Sequence, residues 1–517
     1  MLVLRSPFVC PVDFLAAAVE AAFLFFMGLP IHVEFTEPLY SIPEGKLSLK
    51  LTKGECVMKK AILRVFVYVL MLVIFVGGSG VAGYANEQRN YWVAPSQQPL
   101  PSLQSVKVAE HDPNKPTVAV LLGDPTTEVF DFMVPYQMFA MTEAYNVYAV
   151  APEKKVVSLT GGLDLAPHYS FTELDQLLQG KSPDLIVIPY IPMIDEGKYQ
   201  PLRKWLQKHE HSNLLSICGG AGNLADAGLL KGRSATIHWQ FFDMFQDRFV
   251  DTNWVRDQRY VHDGNIIGSA GLTSGIDAVL YVISKQLGEP IAEKIAKEMN
   301  YPSYHYVKNP KVDPYYVDRS EIVYMLNQAF QWNKTEAGVL LYDGMEDSAL
   351  TTIFDTYAAS GTTKVYTVSA SDQPIVTKYQ LTLFPRHQVA NAPQIDKMFV
   401  TGTEAKVLAA DAVKQWEEKG QPIEPIYIHS ASPNRFVFDA PLEDLAKQED
   451  YLTARYGAKR LEYRANHLKL QGQLFSLEAF GIPLLLIVFA LLLAYYVDRR
   501  FILKKTACCF MRKTSEI

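Results

Sequence analysis

Cysteine is scarce where it would matter most. Of the five in the sequence, Cys10 and Cys56 precede the first long apolar run, Cys508 and Cys509 follow the last, and Cys218 alone lies between. No disulfide can therefore form within the central region of one chain. Metal and nucleotide signatures are missing too: there is no HExxH, no CxxC, no cluster of histidines and no phosphate-binding GxxxxGK loop. No metal and no cofactor is expected. Nor does a block of Lys or Arg interrupt the central region, and the net charge is only −6. The electrostatic footprint of a nucleic-acid binder is absent, which removes nucleic acid from the partners.

Long apolar runs are present, and there are two. Val65 to Ala82 and Ala479 to Val497 carry no charge over nearly the length of helix that crosses a bilayer, about 20 residues. Lys59, Lys60 and Arg64 precede the first, while Arg499, Arg500, Lys504, Lys505, Arg512 and Lys513 follow the second. The positive-inside rule then puts both ends in the cytoplasm and everything between outside it, on a cell membrane. Residues 58–85 read equally as a transmembrane helix or as a signal peptide cut after Ala85. Residues 1–57 fit poorly with the rest; Met58-Lys59-Lys60 looks like a natural bacterial start, and the segment before it is expected to be a mis-assigned extension.

Between the spans the chain divides by pattern. Residues 86–115, rich in Pro, Gln and Ser, read as a linker. From 116 to 305 short apolar strands, at Thr117 to Leu122, Asn146 to Ala151, Asp184 to Pro189 and Asn213 to Ile217, alternate with helical segments. This predicts an α/β fold, a parallel sheet sandwiched by helices in flavodoxin-like fashion. A connector, 306–336, leads to a second unit at 337–440 that repeats the opening of strand, Gly-containing turn and helix, so two tandem domains are expected. Its last strand runs to His429 and then Ser430-Ala431, with no cysteine. Residues 441–476 read as a helical stalk, 477–498 as the last transmembrane helix and 499–517 as a basic cytoplasmic tail.

The chemistry centres on Leu214-Leu215-Ser216-Ile217-Cys218-Gly219-Gly220-Ala221-Gly222, an apolar strand running through a Gly-rich turn into a helix. This is the layout of a nucleophile elbow, in which small residues let helix and strand approach closely. A helix N-terminus favours negative charge, so the thiol is expected to titrate low. A buried Cys that is merely a small hydrophobe is the bland alternative.

The string continues through Leu229-Leu230-Lys231-Gly232-Arg233-Ser234-Ala235-Thr236-Ile237-His238-Trp239, and Gly268-Ser269-Ala270-Gly271-Leu272-Thr273-Ser274-Gly275 follows downstream. Together these closely resemble the ThiJ/PfpI superfamily, which is class I glutamine-amidotransferase-like, and most of all the branch that forms the N-terminal part of AraC-type regulators. The resemblance covers about 116 to 305 and, weakly, the repeat. It implies a carboxylate on the first helix turn, four residues before a proline: Asp131 fits through Asp131-Phe132-Met133-Val134-Pro135, with Glu128 the runner-up. For both acids the bland reading is charge complementarity at a helix start.

Departures from the pattern narrow the activity. Gly219 stands where protease-like members carry His, which argues against a Cys-His peptidase. The loop that often reads Pro-Gly-Gly is here Pro189-Tyr190-Ile191-Pro192, so the expected ligand-binding backbone is that of Tyr190, Gly219 and Gly220. His238, 20 residues beyond Cys218, is either a catalytic partner or a packed structural residue. Two functions fit: a membrane-anchored domain that binds or senses a small molecule at the Cys218 pocket, or a cysteine-dependent hydrolase, lyase or hydratase acting on a small carbonyl, amide or nitrile-like compound. Beyond lipid and that ligand, a second copy of the chain, as a homodimer, is the partner the fold allows.

Overall fold

The computed structural model describes residues 53–93, 103, 106, 108, 110–418 and 423–503. Residues 1–52, part of the expected linker and the basic tail from 504 lie outside the described residues, as do Cys10, Cys508 and Cys509. The chain forms two compact units: one of the terminal segments, up to residue 86 and from 477, and one of residues 87–476.

In the terminal unit, the helix Lys53–Leu72 passes through a π-helical turn, Val73–Gly78, into the helix Ser79–Trp92; the partner helix is Leu477–Val497, extended by the turn Asp498–Leu503. Both stretches, Lys60–Trp92 and Leu477–Leu503, are long and apolar enough to cross a bilayer. Arg64 Nε reaches both carboxylate oxygens of Asp498 at 3.0 Å, and the Phe75 and Phe489 rings meet edge to face at 5.1 Å. Arg64 lies early in one helix and Asp498 at the end of the other, so the two run antiparallel.

The other unit holds two parallel sheets. The first has seven strands, in the order Tyr260–Asp263, Ile266–Ser269, Asn213–Ser216, Leu185–Ile188, Thr117–Leu121, Asn146–Ala151 and Tyr169–Ser170. All neighbours are parallel except the edge hairpin, Tyr260–Asp263 with Ile266–Ser269. The second has five parallel strands, in the order His387–Gln388, Thr363–Ser369, Thr335–Leu341, Lys397–Val400 and Pro425–Tyr427. The α/β expectation is met in both, since the apolar runs buried on both faces form parallel strands.

The two halves are not beads on a string. Helix Val129–Met141 of the first half is buried along its first eleven residues, Val129 to Phe139, and so needs cover on every side. Helix Asp347–Thr356, whose ten residues are all buried, packs against it. Gln137 Oε1 accepts from Ser348 N at 2.7 Å in that contact. A third sheet then stitches the halves: Thr382–Phe384 pairs antiparallel with Leu163–Ala166, and Arg386 reaches the buried Asp164 through Nε at 3.0 Å and Nη2 at 2.7 Å.

Three segments differ from the expected plan. Residues 86–115 begin as helix to Trp92, with Glu87 and Tyr91 buried. The connector 306–336 contains the helix Arg319–Phe330, started by a capping box on Asp318. Residues 441–476 are not a free stalk: helices Asp439–Gln448 and Tyr451–Arg460 bury Leu442, Leu445, Ala446, Ala454, Ala458 and Leu461 in the core shared by the two sheets. The apolar residues interleaved with the arginines there are what packing claims.

Candidate functional site

Strand Asn213–Ser216 ends in an elbow. Cys218 has φ 56°, left-handed backbone that a non-glycine residue adopts only at a cost, and the helix Gly220–Asp226 starts directly after it. The turn is tight enough to require its glycines. A Cβ on Gly220 would lie 2.0 Å from the Ile188 carbonyl oxygen, and one on Gly222 would lie 1.9 Å from Phe245 Cε1.

Asp131 and Glu128 meet the elbow from helix Val129–Met141. Glu128 caps that helix, its Oε2 accepting from Asp131 N at 2.8 Å. Pro135 has no N–H to give the Asp131 carbonyl, so the hydrogen-bond ladder opens at the turn that bears the acid. Asp131 is fully buried; its Oδ2 accepts from Tyr190 N at 3.3 Å while Oδ1 has no hydrogen-bond partner. Burial, with Asp355 adding, pushes its carboxyl up to about 8, against the Tyr190 amide and the neighbouring Cys218 thiol. Burial also pushes Glu128 well above its ordinary value, with Asp355 and Asp131 pushing the same way.

Cys218 is 4% exposed. Burial raises its thiol well above the ordinary value, and Asp131, Glu128 and Glu462 raise it further, while the Gly219 amide pulls it down. This reverses the expectation of a low-titrating thiol: the helix behind the elbow is short, and desolvation among acids outweighs its dipole. Near neutral pH the site holds a neutral thiol beside a neutral carboxylic acid.

Tyr190 closes the space above the elbow. Its amide is taken by Asp131 and its carbonyl accepts from Glu128 N at 3.0 Å, so neither faces an incoming ligand. Its ring covers Gly219, where a Cβ would lie 2.1 Å away, and is itself packed edge to face with Trp92 and tilted against Phe241.

The remaining wall comes from residues that the sequence did not flag. Arg460, buried, donates from Nη1 to Asp355 Oδ1 at 2.9 Å and from Nη2 to the Tyr91 hydroxyl at 2.9 Å, and lies 3.5 Å from Glu128 Oε1. His238 donates from Nε2 to the Arg460 carbonyl at 2.9 Å and accepts from Gln240 N at Nδ1, 3.3 Å. Both ring nitrogens are thus spent on main chain, and burial pushes the imidazole below its ordinary value. The structure gathers Cys218, Asp131, Glu128, Tyr190 and Gly219 at one point and ties His238 to the covering segment instead. Among the described residues no group of three His, Cys, Asp or Glu side chains could hold a metal ion.

In the second half, Tyr427 pairs with Val400 as Ser216 pairs with Ile188, each at the end of its ladder. Two residues further on stand His429 and Cys218, so the elbow position falls on His429, one residue before the Ser430 expected. His429 is buried, donating to Val437 O at 3.0 Å and accepting from Gly402 N at 3.1 Å. It is held as a packing group, and Ser430 Oγ donates to Gly402 O at 3.0 Å.

Comparison with known proteins returns one family and a consistent set of relatives. Residues 116–285 match the DJ-1/PfpI family. An isonitrile hydratase of Pseudomonas putida is 29% identical over 182 residues, which is 34% of this chain and 75% of the hydratase. The HTH-type transcriptional regulator CdhR of Pseudomonas aeruginosa is 31% identical over 153 residues, 28% of this chain and 43% of the regulator. The chain therefore spans less than half of that regulator. Among solved structures, a ThiJ/PfpI family protein from Pseudomonas syringae is 22% identical, with 43% of this chain and 89% of that one covered and a TM-score of 0.32. The strand–elbow–helix geometry and the match coincide, and residues 116–285 of this chain form a DJ-1/PfpI family domain.

Proposed function

We propose that the protein is a membrane-anchored sensor, held by its two apolar helices, whose DJ-1/PfpI domain binds a small molecule at the Cys218 site outside the cytoplasm. One observation carries the reading: Cys218 sits on strained elbow backbone beside Asp131, yet the site is walled by Tyr190 and by residues 459–462 of the same chain. A ligand can reach the buried thiol only if part of this cover moves, and the 459–462 segment leads after 14 further residues into the helix that begins at Leu477. Binding and a change at the membrane end are thereby linked through one covalent path.

Thermal melts of the detergent-purified full chain against small carbonyl, amide and nitrile compounds test this. At least one should raise the melting temperature by about 2 °C or more, and Cys218→Trp, which fills the pocket, should lose the shift. No shift with any compound would sink the binding reading. A reporter inserted near residue 320 should be active only outside the cytoplasm, as the flanking charges require.

An enzyme is the second reading, favoured by the neutral Asp131 carboxyl next to the thiol and by the hydratase relative. Addition of the thiol to a polarised carbon forms S–C and breaks S–H: Asp131 delivers its proton to the neighbouring heteroatom as the bond forms and takes up the proton that sulfur loses, so the acid is restored. Cys218→Ala separates the two: an enzyme loses turnover, while a sensor retains part of its ligand affinity.

A further inference from the structure

The segment Lys459 to Glu462 lies on the DJ-1/PfpI domain as a bound peptide would. Its four consecutive carbonyls accept from Trp239 Nε1 at 3.3 Å, His238 Nε2 at 2.9 Å, Thr273 N at 3.1 Å and Arg259 Nη1 at 2.6 Å. Backbone strain accumulates where it docks: Glu462 has φ 50° and Leu272, next to Thr273, has φ 35°. Non-glycine residues persist in such conformations only where their surroundings over-determine them.

The side chain of Glu462 is the centre of this contact. It is 2% exposed, and its carboxylate accepts from Gly271 N at 2.8 Å, from Trp239 N at 3.3 Å and from the Ser274 hydroxyl. All three donors belong to the DJ-1/PfpI half. Burying a carboxylate is costly unless such donors are already in place, and two of them are main-chain amides whose positions the fold fixes. Glu462 also walls a cleft of about 370 Å³, together with Trp239, Arg256 and Tyr315. The Tyr315 hydroxyl in that wall is buried with no hydrogen-bond partner, and it lies close enough to Glu462 for that charge to push the phenol upward, after burial itself.

We infer that Trp239 N, Gly271 N and Ser274 Oγ form a carboxylate subsite that the chain fills with its own Glu462, and that a small free carboxylate entering through the cleft takes its place. Displacement of Glu462 frees the Lys459–Glu462 segment and uncovers Cys218. The subsite stands on its own geometry; its effect on Cys218 rests on the sensing reading.

Acetate is the probe, with acetamide at equal concentration and matched ionic strength as the control, on the full chain in detergent. In Glu462→Ala, acetate should raise the melting temperature by about 2 °C or more and acetamide should not. The double variant with Ser274→Ala should lose most of that shift. In the parent, acetate should accelerate alkylation of Cys218 several-fold over acetamide. Equal effects of acetate and acetamide on folded Glu462→Ala overturn the subsite. A shift in Glu462→Ala without faster alkylation in the parent supports the subsite and overturns its coupling to Cys218. Should Glu462→Ala fail to fold, Glu462→Gly, which also empties the subsite and suits the backbone φ of 50°, takes its place under the same comparison. If neither folds, the parent decides: equal alkylation rates in acetate and acetamide overturn the proposal.

Discussion

At the scale of single residues, the chemistry of this site is set by desolvation. Asp131 is held near 8 because burial, with Asp355 adding, outweighs the Tyr190 amide, the Arg460 guanidinium and the Cys218 thiol that favour its charge. In the unfolded chain the same group titrates near 4. A carboxyl whose folded value is raised binds more protons in the native state, so its contribution to stability is fully present below about 4 and is lost as pH rises toward 8. Asp131→Asn removes that loss, because the amide stays neutral. The variant should therefore melt above the parent at pH 8, by about 2 °C or more, and show no such gain at pH 4.5. Calorimetric scans at the two pH values decide it; a parent more stable than the variant at pH 8 would mean that the ionised carboxylate is held favourably. The same reasoning makes Cys218 slow toward iodoacetamide at pH 7 in the folded parent, opposite to what its elbow position suggests.

At the scale of elements, helix Tyr451–Arg460 matters more than its polar surface advertises. Arg460 is the cation near Glu128 and Asp355, joined to them through contacts of 3.5 and 2.9 Å. Removing one member of a buried pair costs about 3–5 kcal/mol, since the remaining charge is left without compensation. Arg460→Met keeps much of the volume and should lower stability in urea by about that amount at pH 8. At pH 5 the loss should be smaller: burial already raises Glu128 well above its ordinary value, so it takes up a proton readily as pH falls and no longer needs the guanidinium. Equal losses at both pH values would show that Arg460 acts by packing alone. The elbow strand and its glycines were legible in the sequence because each answers a local rule, an apolar run and a turn that no Cβ can enter; Asp131 was singled out only by the family resemblance, which places an acid four residues before a proline. Arg460, Glu462 and Tyr91 were not. They lie 242 and 244 residues after Cys218 and 127 before it, and nothing in a local pattern says which distant helix will cover a pocket.

At the scale of the whole molecule, the sequence reading of two tandem domains captured both sheets but missed how they meet. Apolar periodicity along Val129–Met141 says that the helix is buried; it cannot say that the cover is Asp347–Thr356 of the same chain. The chain supplies that cover internally. The arrangement has a testable cost for dissection. Residues 116–305 alone would expose the face of Val129–Met141 that sets Phe130 against Phe438 and Gln137 against Ser348, leave the Leu163–Ala166 edge unpaired where Thr382–Phe384 now binds, and lose Lys459–Glu462 from the Cys218 site. Each fully buried apolar side chain such as Phe130 is worth about 1.5–3 kcal/mol, so uncovering several along this face removes a large part of the stability of an ordinary domain. Residues 87–476 should express as a soluble monomer with one cooperative melt, whereas 116–305 should aggregate or else pair with itself through the uncovered helix. Size-exclusion chromatography with light scattering reads the difference. A monodisperse, cooperatively melting monomer of 116–305 would show that the second half is not needed as cover, and that its contacts with the DJ-1/PfpI domain serve the site rather than the fold.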